Sequence, residues 1–238
     1  MKNHDPYLAL RFKEFNYFLL IRFLLVFGWS MQFIIVEWEV YNLTKDPLAL
    51  GLIGLVEIIP AISMSLFAGH IVDQKEKKKL FTIAIIAFLF ISIAFFSITT
   101  NYFYSNYSSK QVLTGIYILV FIGGFIRAFF GPIIFSLVAL IVSKNAYPNA
   151  ASWSSSTWQF ASVLGPAFAG FSIAWIGVNA SMGFVLISVF IALLLTYFIK
   201  KKPILNPKIG EPIIKSLKTG LSFVFKTKAI LIAITLDM

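Results

Sequence analysis

The residues best placed to do chemistry in this chain are charges inside otherwise apolar runs. Glu57 and Arg127 each lie well within such a run, and Glu37 and Glu39 in the outer part of another, a run in which Arg22 also falls without a role of its own. An ionisable side chain in hydrocarbon is costly, and its usual roles are pairing or carrying an ion or substrate. The more familiar chemistries are missing. There is no cysteine, and the two histidines, His4 and His70, are too few and too far apart for a histidine metal site. No GxxxxGK[ST], HExxH or GxSxG pattern occurs, so P-loop nucleotide hydrolysis, zinc hydrolysis and serine-hydrolase chemistry lack their residues. The sequence predicts no enzyme, no cofactor and no metal.

The elements that must position these charges follow from composition. Hydrophobic residues make up 59% of the 238 and charged residues 13%, with 26 Phe and a mean hydropathy of +0.87. A soluble fold of this size could not bury that much apolar surface, so the expected class is an all-α integral membrane protein. A membrane helix needs about 20 mostly apolar residues. Six segments qualify: 17–41, 47–72, 80–100, within 112–142, within 150–176, and 178–199. The runs are continuous rather than alternating, which favours helices over barrel strands. This divides the chain into an N-terminal segment 1–16, a six-span bundle 17–199, a basic connector 200–228 and the truncated start of a seventh span, 229–238. In the connector, Ile213, Leu217, Leu221 and Val224 recur at helical spacing opposite Lys215, Lys218 and Ser222, as in an amphipathic helix lying at a membrane surface.

Charge placement orients the bundle. With the N-terminus in the cytoplasm, every Lys and Arg outside the spans falls on that side except Lys45 and Lys110. That is the positive-inside pattern, and it predicts a multi-pass protein with its N-terminus in the cytoplasm. The net charge of +10 then needs no nucleic-acid partner. In this frame Glu57 lies about 15 Å and Arg127 about 20 Å below the outer surface, at about 1.5 Å per residue. At similar depth they can offset each other's desolvation. Three arrangements remain open: a static pair that fixes packing, a pair within a translocation pathway, and no contact.

Other polar residues extend the candidate list. Glu37 and Glu39 are about 200° apart on one helix and cannot share a cavity. Glu37 continues the Ser30 face and Glu39 the Gln32 face. One could carry a proton or hold a cationic substrate, or both could sit in the headgroup region beside Trp38 and Tyr41, a placement that suits Glu39 better and leaves Glu37 open. Gln32 and Gln159 are cavity candidates, Gln159 within the polar stretch from Trp153 that also carries Ser154, Ser155, Ser156 and Thr157. Pro60, Gly131-Pro132 and Gly165-Pro166 bend or thin the helices. An aromatic content of 17% with few buried charges suits large, greasy or weakly cationic substrates, although Phe is equally at home against lipid.

Three motifs carry a family resemblance. The loop Gly69-His70-Ile71-Val72-Asp73-Gln74-Lys75-Glu76-Lys77-Lys78-Lys79 resembles the G-x-L-a-D-R-x-G-R-K-x-x-L signature of the major facilitator superfamily. Gly69, Asp73, Lys77 and Lys78 match, while Gln74 stands for Arg and Glu76 for Gly, which puts the turn itself in question. Arg127 to Gly131 resembles the R-x-x-Q-G of that family's fourth span, and Leu164 to Gly170 its G-P-x-x-G-G antiporter motif. The stretch from Trp38 to Gly51 is similar to the branch containing the enterobactin and macrolide exporters. The resemblance covers the first half of a twelve-span fold plus the beginning of span seven. It implies alternating access between two six-span halves, with substrate near the midplane. It also implies that Asp73 stabilises the outward-facing state with Lys77 and Lys78 as charge partners. Arg127 would support proton coupling, and Gly165, Pro166 and Gly170 would shape a sealing bend. With the resemblance, the expected location is the plasma (bacterial inner) membrane. The expected function is proton-coupled efflux of amphipathic small molecules, drug- or siderophore-like, with the lipid bilayer, protons and a missing C-terminal half as partners. The alternatives are a six-span fragment or half-transporter that is inactive alone, and an importer.

Overall fold

A computed structural model describes residues 5–204 and Gly210. The expected amphipathic helix of the connector and the start of span seven lie outside the described residues. Six α-helices follow one another: α1 Lys13–Thr44, α2 Pro47–Gln74, α3 Lys77–Ile98, the short α4 Asn101–Asn106, α5 Ser109–Ile141 and α6 Tyr147–Leu195. No β-strand occurs among the described residues. Five of the helices, all but α4, are long and apolar enough to cross a membrane.

Local chemistry sets the turns. α1 ends where Lys45 enters the left-handed region (φ 53°) and donates its N–H to the Tyr41 carbonyl. Asp46 then caps α2 by accepting from Leu48 N at 2.9 Å, with Pro47 at the first helical position where its missing N–H is harmless. Ser108 and Gln111 form a reciprocal capping box that starts α5. α1 and α5, at 32 and 33 residues, are each about 50 Å long. They therefore tilt or project beyond a 30 Å core.

α6 is two spans in one. Gly177 has φ 80° and ψ 173°, a conformation open essentially only to glycine, and it interrupts the helix between 147–176 and 178–195. The contacts with α1 show that the chain reverses there. Going outward, Arg22 meets Ser154 and Gly165 lies against Phe27 to Met31. Coming back, Ser188 donates to the Leu24 carbonyl at 2.8 Å and Tyr17 stacks on Phe198 at 4.7 Å. The described helices thus form six long apolar segments, the fifth and sixth meeting at Gly177.

α1 is embedded between both arms of α6 and also reaches α3 and α5 through Trp29, which packs on Phe88 at 4.7 Å and Phe130 at 6.3 Å. α2 packs on α5. Phe15, Phe18, Ile21, Phe81, Ile85 and Phe88 form the fully buried centre toward the lysine-rich end. The outer faces remain apolar and exposed, as with Leu55, Ile58, Ile59 and Ile62 on α2, which suits lipid. Hydroxyls along the spans bond their own helix backbones, as Ser97 to Ile93 and Thr157 to Trp153.

Candidate functional site

The site begins with a close helix crossing. A Cβ on Gly124 would lie against the Glu57 carbonyl oxygen and 2.6 Å from Pro60 Cγ, so α2 and α5 approach here because glycine leaves room. Arg127 is one turn beyond Gly124 on α5. Its Nη1 lies 3.0 Å from Glu57 Oε1, and Trp29 Nε1 donates to the same oxygen at 3.2 Å. The side chains differ sharply in access: Glu57 is 7% exposed and Arg127 57%. One end of the pair is packed and the other opens on a cavity.

That cavity, of about 390 Å³, is walled by Arg22, Leu25, Val26, Trp29 and Ser30 of α1, Phe88 of α3, Arg127, Phe130, Gly131, Ile134 and Phe135 of α5, and Trp158 and Ser162 of α6. Its α1–α6 wall is set by a second close crossing. A Cβ on Gly165 would lie 2.7 Å from the Phe27 carbonyl and 2.9 Å from Ser30 Cβ. Below it, Arg22 donates from Nη1 to Ser154 Oγ at 2.6 Å, while its buried Nε has no hydrogen-bond partner. Sequence reasoning placed Arg22 within a span and gave it no role. Gly124 went unnoticed although it sits in a Gly-Gly pair four and three residues before Arg127.

The remaining candidates fall in different surroundings. Gln32 is buried, accepts from Ser92 Oγ at 2.6 Å and borders a much smaller cavity shared with Glu57 and Trp29. Gln159 is exposed and does not line the large cavity, because the helix rotates Trp158 and Ser162 onto that wall instead. Glu37 is half-buried, has no hydrogen-bond partner among the described residues, and feels the charge of Glu57. Glu39 is buried and accepts from the hydroxyl of Tyr104 on α4, the short helix between α3 and α5. Burial and then Glu39 push the Tyr104 hydroxyl above its ordinary range. Pro166 continues α6 beside Gly165, whereas a Cβ on Gly170 would meet open space.

The loop motif forms a tight, lysine-rich turn. Lys75 (φ −117°) and Glu76 (φ −67°) are both extended, so the turn does not need the glycine that Glu76 replaces. Glu76 instead caps α3, accepting from Lys78 N at 2.9 Å and Lys79 N at 2.8 Å, and it also accepts from Lys202 N at 3.0 Å. Burial acts to raise its carboxyl, but these N–H groups and the Lys78 charge outweigh it and hold the group below the usual range. Lys77 is buried, and its Nζ donates to the carbonyls of Val72, Asp73 and Lys75, neutralising the C-terminus of α2. Asp73 is exposed with no ion pair among the described residues. Lys77 thus bonds the Asp73 backbone carbonyl and also feels the charge of the Asp73 carboxylate, and Lys78 engages Glu76 through its N–H and its charge. Gly69 has open space around its Cα. Lys202 also pairs with Glu14 at 2.8 Å, which fastens the first residues after span six to this end.

No curated protein matches the chain. The family model of the Major Facilitator Superfamily matches residues 18–237. With that match over an all-α bundle of long apolar helices, the chain belongs to the Major Facilitator Superfamily and is a multi-pass membrane transporter of that family.

Proposed function

We propose that this transporter exports amphipathic small molecules in exchange for protons, by alternating access of the aromatic cavity. The N-terminus faces the cytoplasm, in the bacterial inner membrane, and a second six-span half covers the cavity. The observation that carries this reading is the asymmetric Glu57–Arg127 pair, buried at the carboxylate and open to the cavity at the guanidinium. A proton arriving on Glu57 cancels its charge and weakens the ion pair, which frees Arg127 to interact within the cavity. Loss of that proton to the cytoplasm restores the pair. The pair thus has two states that a proton selects, as an alternating-access device requires. Gly124 and Gly165, where backbones touch, are fixed points about which such helices can rock. Asp73 stabilises the outward-facing state from the lysine-rich turn.

The test is efflux from proteoliposomes driven by an imposed proton gradient. Wild type is expected to respond to the gradient, and Glu57→Gln and Arg127→Ala to lose that response. Unchanged proton-coupled efflux in Arg127→Ala overturns the role assigned to it. One observation favours a second reading, a half that must pair before it transports. Phe135, on the cavity wall, is 78% exposed, as a surface awaiting cover would be. Efflux by the 238-residue chain alone excludes that reading.

A further inference from the structure

Among the described residues there are three ion pairs: Arg11–Asp5, Arg127–Glu57 and Lys202–Glu14. Arg22 is in none of them, although it lies in the first span about 10 Å along α1 from Trp29, at about 1.5 Å per residue. A guanidinium carries five N–H donors in a planar fork suited to a carboxylate or phosphate. The hydroxyl of Ser154 takes a bond from Nη1, and Nε is buried without a partner. Such a cation in a span requires an anion. The cavity it borders has a second guanidinium, that of Arg127, and no Asp or Glu among its lining residues. The rest of the wall is largely aromatic: Trp29, Phe88, Phe130, Phe135 and Trp158.

We propose that the cavity holds an organic anion, with its carboxylate or equivalent group seated on Arg22 and its flat apolar body against Trp29, Phe130 and Trp158. This rests on the reading of the cavity as the transporter's substrate site, and it reverses the preference for weakly cationic compounds that composition suggests. Arg127 is balanced by Glu57, so the positive potential that repels cations and stabilises an anion comes from Arg22, while the aromatic faces supply area for the body. The volume of about 390 Å³ is that of a small-molecule site. The same anion chemistry could come from a phospholipid headgroup, so the test must separate a soluble ligand from lipid.

The experiment is calorimetric titration of the full chain in phosphatidylcholine nanodiscs with 2-naphthoate and its neutral isostere 2-naphthamide. The carboxylate is expected to bind about tenfold or more tightly than the amide, as a charge-assisted fork contact gives. Arg22→Gln is expected to erase that ratio while keeping wild-type affinity for the amide, which also shows that the variant is folded. Arg22→Lys retains part of the ratio. Equal binding of the two probes by wild type overturns the proposal without any variant. So does the absence of naphthoate binding at millimolar concentration. A ratio unchanged in Arg22→Gln, as when another part of the chain neutralises Arg22, overturns it as well. If phosphatidylglycerol in the nanodisc abolishes naphthoate binding, the site belongs to a headgroup and the substrate assignment falls. If the ratio and its loss hold but no solute is transported, the substrate-site reading fails while the anion site stands.

Discussion

The two walls of the cavity are built alike and charged differently. On each, a glycine lets two backbones touch: Gly124 joins α5 to α2, and Gly165 joins the 147–176 arm of α6 to α1. Each wall also carries an arginine. On the α2–α5 wall Arg127 faces a buried carboxylate, so the protein supplies the counter-charge itself. On the α1–α6 wall, among the described residues, Arg22 meets only a serine hydroxyl. A hydroxyl satisfies geometry but cannot neutralise charge. The first wall is electrostatically complete, whereas the second still presents net positive potential. Similar packing therefore produces one side that can switch and one that can bind.

The comparison can be broken most forcefully at the crossings. Gly124→Val would drive a side chain into the Glu57 carbonyl and the Pro60 ring, neither of which can rotate away. A loss of about 3 kcal/mol or more is expected, seen as a large fall in thermal midpoint in detergent. Gly165→Val should do nearly as much damage, and a well-folded protein from either variant would refute the role of these contacts.

Next comes the pair itself. Arg127→Ala leaves Glu57 buried without its cation, at a cost of about 3 kcal/mol. The double variant Glu57→Gln/Arg127→Ala should be more stable than Arg127→Ala, since the uncompensated charge is gone. Thermal midpoints ranked the other way would show that the pair is not coupled. Ser154→Ala, on the other wall, should cost less, about 1 to 2 kcal/mol, for the lost hydrogen bond to a charged group. If it matched Arg127→Ala, Ser154 would be doing more than orienting Arg22.

The smallest effect lies away from both walls, at Glu76, whose carboxyl is held low by the N–H groups it caps. A depressed acid stabilises the fold above its unfolded value, about 4.3, and that contribution disappears as pH falls through the lower folded value. Wild type should therefore melt a little above Glu76→Gln at pH 6, and the gap should close toward pH 3. A gap independent of pH would sever the cap from its charge.

The long helices were legible because about twenty apolar residues leave few alternatives in a bilayer, and the structure interrupts α6 at Gly177, between the fifth and sixth apolar segments. The Glu57–Arg127 contact was one of three arrangements that similar depth left open. What was not legible depended on rotation and on tertiary partners. Gln159 looked like the residue for a polar cavity, but one position of offset, about 100° on a helix, brings Trp158 inward instead. Polarity misled because this cavity is walled by rings. Glu39 was assigned to the interface because its neighbours Trp38 and Tyr41 belong there. That placement did not reveal its hydrogen-bond partner, Tyr104, which sits on α4, a helix of six residues too short to show any periodicity. Glu76 read as the loss of a glycine, whereas its side chain replaces a backbone device with a cap. Arg22 passed without a role because an unpaired cation becomes conspicuous only when every neighbour is known.

The reversal at Gly177 also bears on how this protein can be altered. With one non-helical residue between the fifth and sixth spans, there is no slack that could absorb a change in length. An epitope or reporter inserted there would have to replace the turn, and a bulkier residue in place of Gly177 would strain both helices at once. The turns at 45–46 and 75–76 are almost as short, and each is fixed by a capping carboxylate. The segment from Thr99 to Ser108, which holds α4, is the longest described connection between spans and the most tolerant place to splice new sequence into the bundle.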